Sequence, residues 1–469
     1  VRRLAGADAQ FIYQETRVQH LHTFKVAVID PSTAHERWSY DLVKERAGAA
    51  IPLIPPFRWR LVKMPFGLGH PVWVDDPVLD VDYHVRRAAV PAPGGTRELC
   101  EVVSLIASIP LERDRPLWQL WVLEGLEDGY AAYMMKMHHA IADGMASAQI
   151  LLDTFQPEPG DPDDVDSLEG PAIAVEDVPP MPQLLAGGVV SMARTAAGLP
   201  SLSRRTWRAV RAGAERKRRG EEQPVAAFSG PRTRFNGSLT PHRWYANVTL
   251  PLADMKFVKD AYGVTLNDVL LTLVGAVARG YLVDRGELPA ESLTATVPVS
   301  VRRPEEMRTY GNRTSSWYVS LATDVADASE RLERVNRSTS AARENLAAKD
   351  TELQHDWMEN WWLWSLVARA LPWVGSRVVH RPAYNIIVSN VRGPSVPLYN
   401  AGARLMALQS MGPLVGDLGL NVTAWSYCDA MSVGVMACRE RMPDLWEFAD
   451  RLPVELDELR AAAEKRAAR

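Results

Sequence analysis

Two adjacent histidines, an aspartate and a glycine carry the chemistry most easily read from this chain: His138-His139-Ala140-Ile141-Ala142-Asp143-Gly144. Histidine titrates near neutral pH, so an imidazole held in a fixed position can take up a proton and return it. Residues 130–137 before it are apolar and of strand length, and residues 145–152 after it are rich in helix formers. On strand alternation His139 shares a face with Met137, Met135 and Tyr133, and His138 shares one with Lys136. The two rings therefore point opposite ways, and only one is expected to react. Asp143 could orient an imidazole from a loop or sit in a structural ion pair; both readings stay open. Two histidines and an aspartate also suggest part of a metal site, but no second cluster offers the missing ligands, so no metal is expected.

The elements that must hold this run are those of an α/β protein. Residues 4–15 and 98–109 read as helices, and residues 20–29 and 117–123 as strands, giving a first domain over residues 1–155. Residues 156–228 differ in character. Between 156 and 183 there are eight acidic residues, many prolines and no Lys or Arg, the composition of a mobile linker. Between 194 and 219 nine Lys or Arg face a single acid, Glu215, with Trp207 and Val210 interspersed. That pattern suits a solvated helix bridging two domains, or a basic helix resting on anionic lipid. A second α/β domain occupies residues 229–469. In it a helix runs to Leu282 with Asn267 or Asp268 near its N-cap. An apolar stretch over 357–379 carries five tryptophans (357, 361, 362, 364, 373), suited to core packing or to a surface facing lipid or an acyl chain.

The totals agree with two domains, because 469 residues exceed one ordinary hydrophobic core. A net charge of −4 gives no overall attraction to nucleic acid, and none is expected as a partner. Cys100, Cys428 and Cys438 show no CxxC spacing, so buried thiols in a reducing, cytoplasmic setting are expected. No leader-like segment and no uncharged apolar run of membrane-spanning length is expected. A serine nucleophile elbow, a dinucleotide fingerprint and a phosphate loop are missing from the sequence, which turns attention from those chemistries.

Other stretches accompany the histidine run in a fixed order: ADAQFIYQE at 7–15, PLW at 116–118, LNDVLL at 266–271, PVSVR at 298–302, YGN at 310–312, SNVRGP at 389–394 and GLNVTAWSY at 419–427. Together with HHAIADG they resemble the wax ester synthase/diacylglycerol acyltransferase family, part of the chloramphenicol acetyltransferase-like superfamily. The resemblance implies two chloramphenicol-acetyltransferase-like α/β domains forming a V with a tunnel at their interface. It implies an acyl-CoA-dependent O-acyltransferase of neutral lipid synthesis, with acyl-CoA as co-substrate, no cofactor, and diacylglycerol or a long-chain alcohol as acceptor. The catalytic base lands on His139, which acts by direct transfer without an acyl-enzyme. His138 holds the loop, Asp143 pairs with an arginine, and Gly144 permits a tight turn into the next helix. Asn267, Asn421 and Ser426 are candidates to position substrate or donate to an oxyanion, with a plain helix cap as the other role for Asn267. Peripheral contact with a membrane or lipid droplet is a further expectation. Transfer to another alcohol or amine, or acyl-CoA and lipid binding without turnover, are the alternatives. The chain departs from the family at Gly6-Ala7-Asp8, where PLD is usual, and at Arg392, which adds a charge to the usual NVPGP; both leave the acceptor open.

Overall fold

The computed structural model describes residues 1–468 apart from 35–37, 51–52, 77–79, 160–177, 221–222, 303–309, 348–350 and 361–380. The acidic part of the linker and Trp361, Trp362, Trp364 and Trp373 thus lie outside the described residues.

Two six-stranded mixed sheets dominate. The first has the order Tyr399–Asn400, Ala403–Met411, His22–Asp30, Ala131–His138, Trp118–Glu124, Val85–Ala89. The second has the order Thr314–Ser320, Thr294–Ser300, Ile386–Val391, Leu420–Tyr427, Ala430–Cys438, Arg243–Pro251. Sheet membership does not follow chain order, because residues 399–411 leave the second region and join the first sheet, Arg404–Met411 pairing antiparallel with His22–Asp30. That pairing puts His22–Asp30 in the sheet interior and buries almost every residue on both of its faces. Its run of β-branched and aromatic side chains has the composition such a strand needs.

Next to it, Ala131–His138 pairs with both His22–Asp30 and Trp118–Glu124, with His22 opposite His138 and Thr23 opposite Met137. Alternation along this strand sorts its side chains. Met135 and Met137 join the cluster of Leu4, Ala9, Ile12 and Ile141. Lys136 points the other way and donates to the carbonyls of Ile106 and Ile109, at the end of the helix Thr96–Ala107. An ammonium at a helix C-terminus satisfies carbonyls that have no partner within the helix.

The second core is built on the helix Leu266–Val283, which is long and apolar enough to cross a membrane but has 72% of that window buried inside the fold. Its N-cap is Thr265, which with Asp268 closes a capping box; Asn267 is the second residue of the helix. Asp268 is fully committed, accepting from Thr265, Asn336 and Thr339. The basic stretch lies on the long helix Met181–Arg218, which leans on Thr351–Glu359 through an Arg205–Asp356 pair of 2.5 Å and a Trp357–Thr206 hydrogen bond of 2.9 Å. All three cysteines are free, and Cys100 and Cys438 are buried.

Candidate functional site

The strand ends at His138, so His139 is held one step beyond it, in the turn that leads to the helix Gly144–Leu152. Its backbone N–H donates to Leu21 O at 2.8 Å, tying the turn to the neighbouring strand. The opposed directions expected for the two rings are observed. His138 is fully buried: its Nδ1 accepts from Ala140 N–H at 3.1 Å, and its Nε2 lies 3.6 Å from Glu15 Oε1. His22 Nε2 is also 3.6 Å from that oxygen. Although burial works against it, the two imidazoles and Arg113 hold Glu15 well below the usual carboxylate range. His138 is therefore a structural lock for the turn.

His139 faces the other way and lines a cavity of about 620 Å³ between the two halves of the chain. Its ring stacks on Phe11 with centroids 4.3 Å apart. Its Nδ1 is 2.9 Å from Asn312 Oδ1. The Asn312 amide can adopt only one orientation, because its Nδ2 donates to two oxygens, His139 O at 2.8 Å and Asp8 Oδ1 at 2.7 Å. Oδ1 must then accept, so Nδ1 carries the proton and Nε2 carries the lone pair. Asp8 completes the support by also accepting from Asn312 N–H at 2.7 Å.

Neither Asp8 nor Asn312 was given a role by residue pattern alone, although both lie in stretches that carry the resemblance, ADAQF and YGN. Their contact joins residues 304 positions apart. Gly311, between Tyr310 and Asn312, has φ +96° and packs so closely on Asp8 that an added Cβ would lie 3.0 Å from its carboxylate. The positive φ favours glycine there, and the close approach of Asp8 adds to that.

Asn312→Leu removes the tautomer control of His139. It is expected to lower kcat for CoA release by about 10²-fold with a smaller change in KM, checked by steady-state kinetics.

Burial shapes the ionisations at the site. Desolvation lowers the His139 imidazole to about 4, opposed by the nearby Asp143 carboxylate. Desolvation pushes Asp8 up to about 6, opposed by the Asn312 hydrogen bonds. A base must be unprotonated to act, so a lowered pKa moves its acid limb down in pH. The kcat/KM profile for CoA release should show no histidine limb near 6.5. A limb near 6 that vanishes in Asp8→Asn belongs to Asp8. A limb near 6.5 in both proteins would refute this assignment.

Asp143 is the junction of the two halves. It is the N-cap of Gly144–Leu152, accepting from Ala146 N–H at 2.9 Å. From the other half, Arg302 Nη1 donates to Asp143 Oδ1 and Oδ2 at 2.7 and 2.5 Å, and Arg313 N–H donates to Oδ2 at 3.0 Å. Of the two roles open from sequence, the ion pair is the one found. Arg302 also donates to Gly311 O, and Gly311 N–H donates to Ile141 O, so the histidine turn is stitched to the 311–313 segment.

Gly144 has a different reason from the one expected. It is the first residue of the helix, its φ lies outside the left-handed region, and a Cβ there would meet nothing within 4 Å. The turn does not require glycine; Gly144 instead lines the cavity and leaves room in it. Asn267 also lines the cavity. Asn421 lines it too, but its amide donates to Pro413 O at 3.0 Å and accepts from Thr423 at 3.0 Å. Ser426 is not on the cavity wall: its hydroxyl accepts from Gly393 N–H at 3.2 Å and holds the 390–394 turn. Among the described residues no group of three or more His, Cys, Asp or Glu side chains is arranged to hold a metal ion.

The arrangement is a basic imidazole nitrogen on the wall of an interdomain cavity, and the chain's relatives share its fold. A Mycobacterium tuberculosis protein whose name places it among the diacylglycerol O-acyltransferases is 37% identical over 98% of this chain and 90% of its own length. Another from that organism, similarly named, is 34% identical over 100% of this chain and 98% of its own length. The solved wax ester synthase/diacylglycerol acyltransferase from Marinobacter aquaeolei VT8 superposes with a TM-score of 0.69 at 27% identity, covering 98% of this chain and 100% of that one. The first condensation domain of the CDA synthetase shares the fold at 16% identity, with a TM-score of 0.60 over 98% of this chain and 96% of its own. Residues 4–270 match the wax ester synthase/diacylglycerol acyltransferase catalytic domain and residues 310–460 the WS/DGAT C-terminal domain. With both parts of that architecture present in order, the chain belongs to the wax ester synthase/diacylglycerol acyltransferase family and is an acyltransferase.

Proposed function

We propose that this acyltransferase moves a fatty acyl group from acyl-CoA to the hydroxyl of a neutral-lipid alcohol, with diacylglycerol the leading acceptor and a long-chain alcohol the second. One observation carries the mechanism: the Asn312 contact protonates His139 Nδ1 and leaves Nε2 basic at the cavity. Nε2 takes the acceptor's hydroxyl proton as the oxygen attacks the thioester carbonyl. The tetrahedral intermediate collapses with loss of the C–S bond. The proton on Nε2 then passes to the departing thiolate, giving an ester and free CoA. A low pKa suits this cycle, because the ring starts neutral and becomes an imidazolium only while Asp143 and the oxyanion are near. Asn267, on the cavity wall and with a side-chain amide that has no hydrogen-bond partner among the described residues, is the oxyanion donor of choice among the three candidates. Release of CoA from palmitoyl-CoA, with dioleoylglycerol and hexadecanol as parallel acceptors, tests the reading. Release independent of any acceptor, or none with either, overturns it.

A second reading concerns where the acceptor comes from. Trp207 and Val210 are 64% and 59% exposed on a helix that also exposes Arg204, Arg208 and Arg211. Aromatic and aliphatic side chains flanked by arginines suit the surface of an anionic membrane or lipid droplet. Replacing the three arginines with alanine is expected to lower partitioning onto phosphatidylglycerol-containing liposomes by about 10²-fold, at about 1 kcal/mol per charge. Co-sedimentation measures it, and unchanged partitioning removes the helix from the docking surface.

A further inference from the structure

One charged side chain of the cavity wall has no part in the mechanism above. Lys25 lies on the interior strand His22–Asp30, is 1% exposed, and lines the same cavity as His139. Among the described residues no carboxylate pairs with it. Its Nζ donates to Ser410 Oγ at 2.6 Å and more weakly to Thr23 Oγ1 at 3.4 Å, with the Trp425 ring 5.6 Å away. Burying an ammonium with no carboxylate in contact is costly, the more distant Asp143 charge opposing only part of the desolvation, and an apolar side chain of similar length would have packed at this position without that cost.

The hydrogen-bond inventory shows what is left over. Thr23 Oγ1 donates its own proton to Met411 O at 3.1 Å, so it can only accept from Lys25. Ser410 Oγ accepts from Lys25, and its proton has no partner among the described residues. The ammonium uses two of its three N–H groups. One N–H of Lys25 and the hydroxyl of Ser410 therefore remain, both donors, on side chains that line the cavity. A site made only of donors recognises oxygen acceptors. Desolvation lowers the amine to about 7, and an arriving oxygen would favour its charged form.

Position narrows the ligand. The Thr23 contact shows that the Lys25 side chain runs back along the strand toward Leu21, whose carbonyl anchors His139. Two residues of strand, roughly 7 Å, separate Thr23 from Leu21. We propose that Lys25 and Ser410 form a subsite for an oxygen acceptor that the acceptor alcohol carries a few bonds from its reacting hydroxyl, the ester carbonyl of a diacylglycerol being the class that fits. The proposal rests on the acyl-acceptor reading above and makes a finer claim: the enzyme discriminates glycerol diesters from plain long-chain alcohols.

Wild type, Lys25→Met and Ser410→Ala are compared for CoA release from palmitoyl-CoA with dioleoylglycerol and with hexadecanol. Lys25→Met is expected to lose at least tenfold more kcat/KM with dioleoylglycerol than with hexadecanol, and Ser410→Ala about threefold more. Equal losses with both alcohols, no loss, or a raised KM for palmitoyl-CoA alone would each overturn the subsite. If Lys25→Met does not fold, the ratio in Ser410→Ala decides. If wild type turns over neither alcohol, the acyl-acceptor reading fails separately. Ethylene glycol dioleate, which has two esters and no hydroxyl, then tests the subsite by binding. A rise in wild-type melting temperature that is lost in the variants supports it, and equal or absent rises overturn it.

Discussion

His139→Ala is expected to lower kcat for acceptor-dependent CoA release by about 10³-fold, within the range that a positioned acid–base group contributes. That factor corresponds to about 4 kcal/mol of transition-state stabilisation. The size follows from what the ring alone supplies. It is on the cavity wall, stacked on Phe11 and fixed as the Nδ1–H tautomer by Asn312. His138 cannot replace it, because that ring points to Glu15 on the other side of the strand. The fold should survive the change: the turn is held by His138, Asp143 and the backbone bonds of His139 and Ile141, none of which uses the imidazole. Far-ultraviolet circular dichroism and melting temperature close to wild type would accompany the loss. Turnover within tenfold of wild type would remove His139 from the chemistry.

Arg302→Met should have the largest effect on stability, about 3–5 kcal/mol, because it strands a buried carboxylate. Arg302 and Asp143 have side chains 2% and 0% exposed and meet at two short contacts. Without the guanidinium, Asp143 keeps, among the described residues, the N–H groups of Ala146 and Arg313. The same change releases Gly311 O and loosens the segment that carries Asn312, so activity should fall with stability. Urea denaturation measures the first effect and CoA release the second. Replacing both partners, as Asp143→Leu with Arg302→Met, is expected to recover part of the stability but not the activity. A loss below about 1 kcal/mol in the single variant would mean that the pair is solvated rather than buried.

Much of this site can be read along the chain, for local reasons. Period-2 alternation separated His139 from His138 and assigned His138 to the Lys136 face, which Lys136 confirms by reaching the carbonyls at the end of Thr96–Ala107. The helix Leu266–Val283 and the strands around it were recognisable from apolar periodicity, because each buries a face whose spacing is set by its own backbone geometry. The resemblance of eight short stretches to one family singled out His139 as the candidate base and predicted the arginine partner that Asp143 has in Arg302.

Other assignments failed where local pattern was the wrong guide. Glycine at a helix start suggested a tight turn, yet Gly144 has unexceptional backbone angles and owes its place to the cavity. Asn267 has the composition of a helix cap, but Thr265 takes that role. Ser426 lies within the GLNVTAWSY motif yet off the cavity wall. The chain's order also concealed the path of residues 399–411, which complete the first sheet from the second half.

The sequence by itself determined the main elements and the family and singled out His139 as the candidate base, since these depend on neighbours within a few residues. Only the tertiary structure decided which oxygen orients that histidine, which arginine meets Asp143, and that Lys25 lies in the cavity wall. Asp8 and Asn312, Asp143 and Arg302, and Lys25 and Ser410 are separated by 304, 159 and 385 positions. Contacts over such distances arise from sheet pairing and from packing of the two halves, and they leave no periodic trace in the chain.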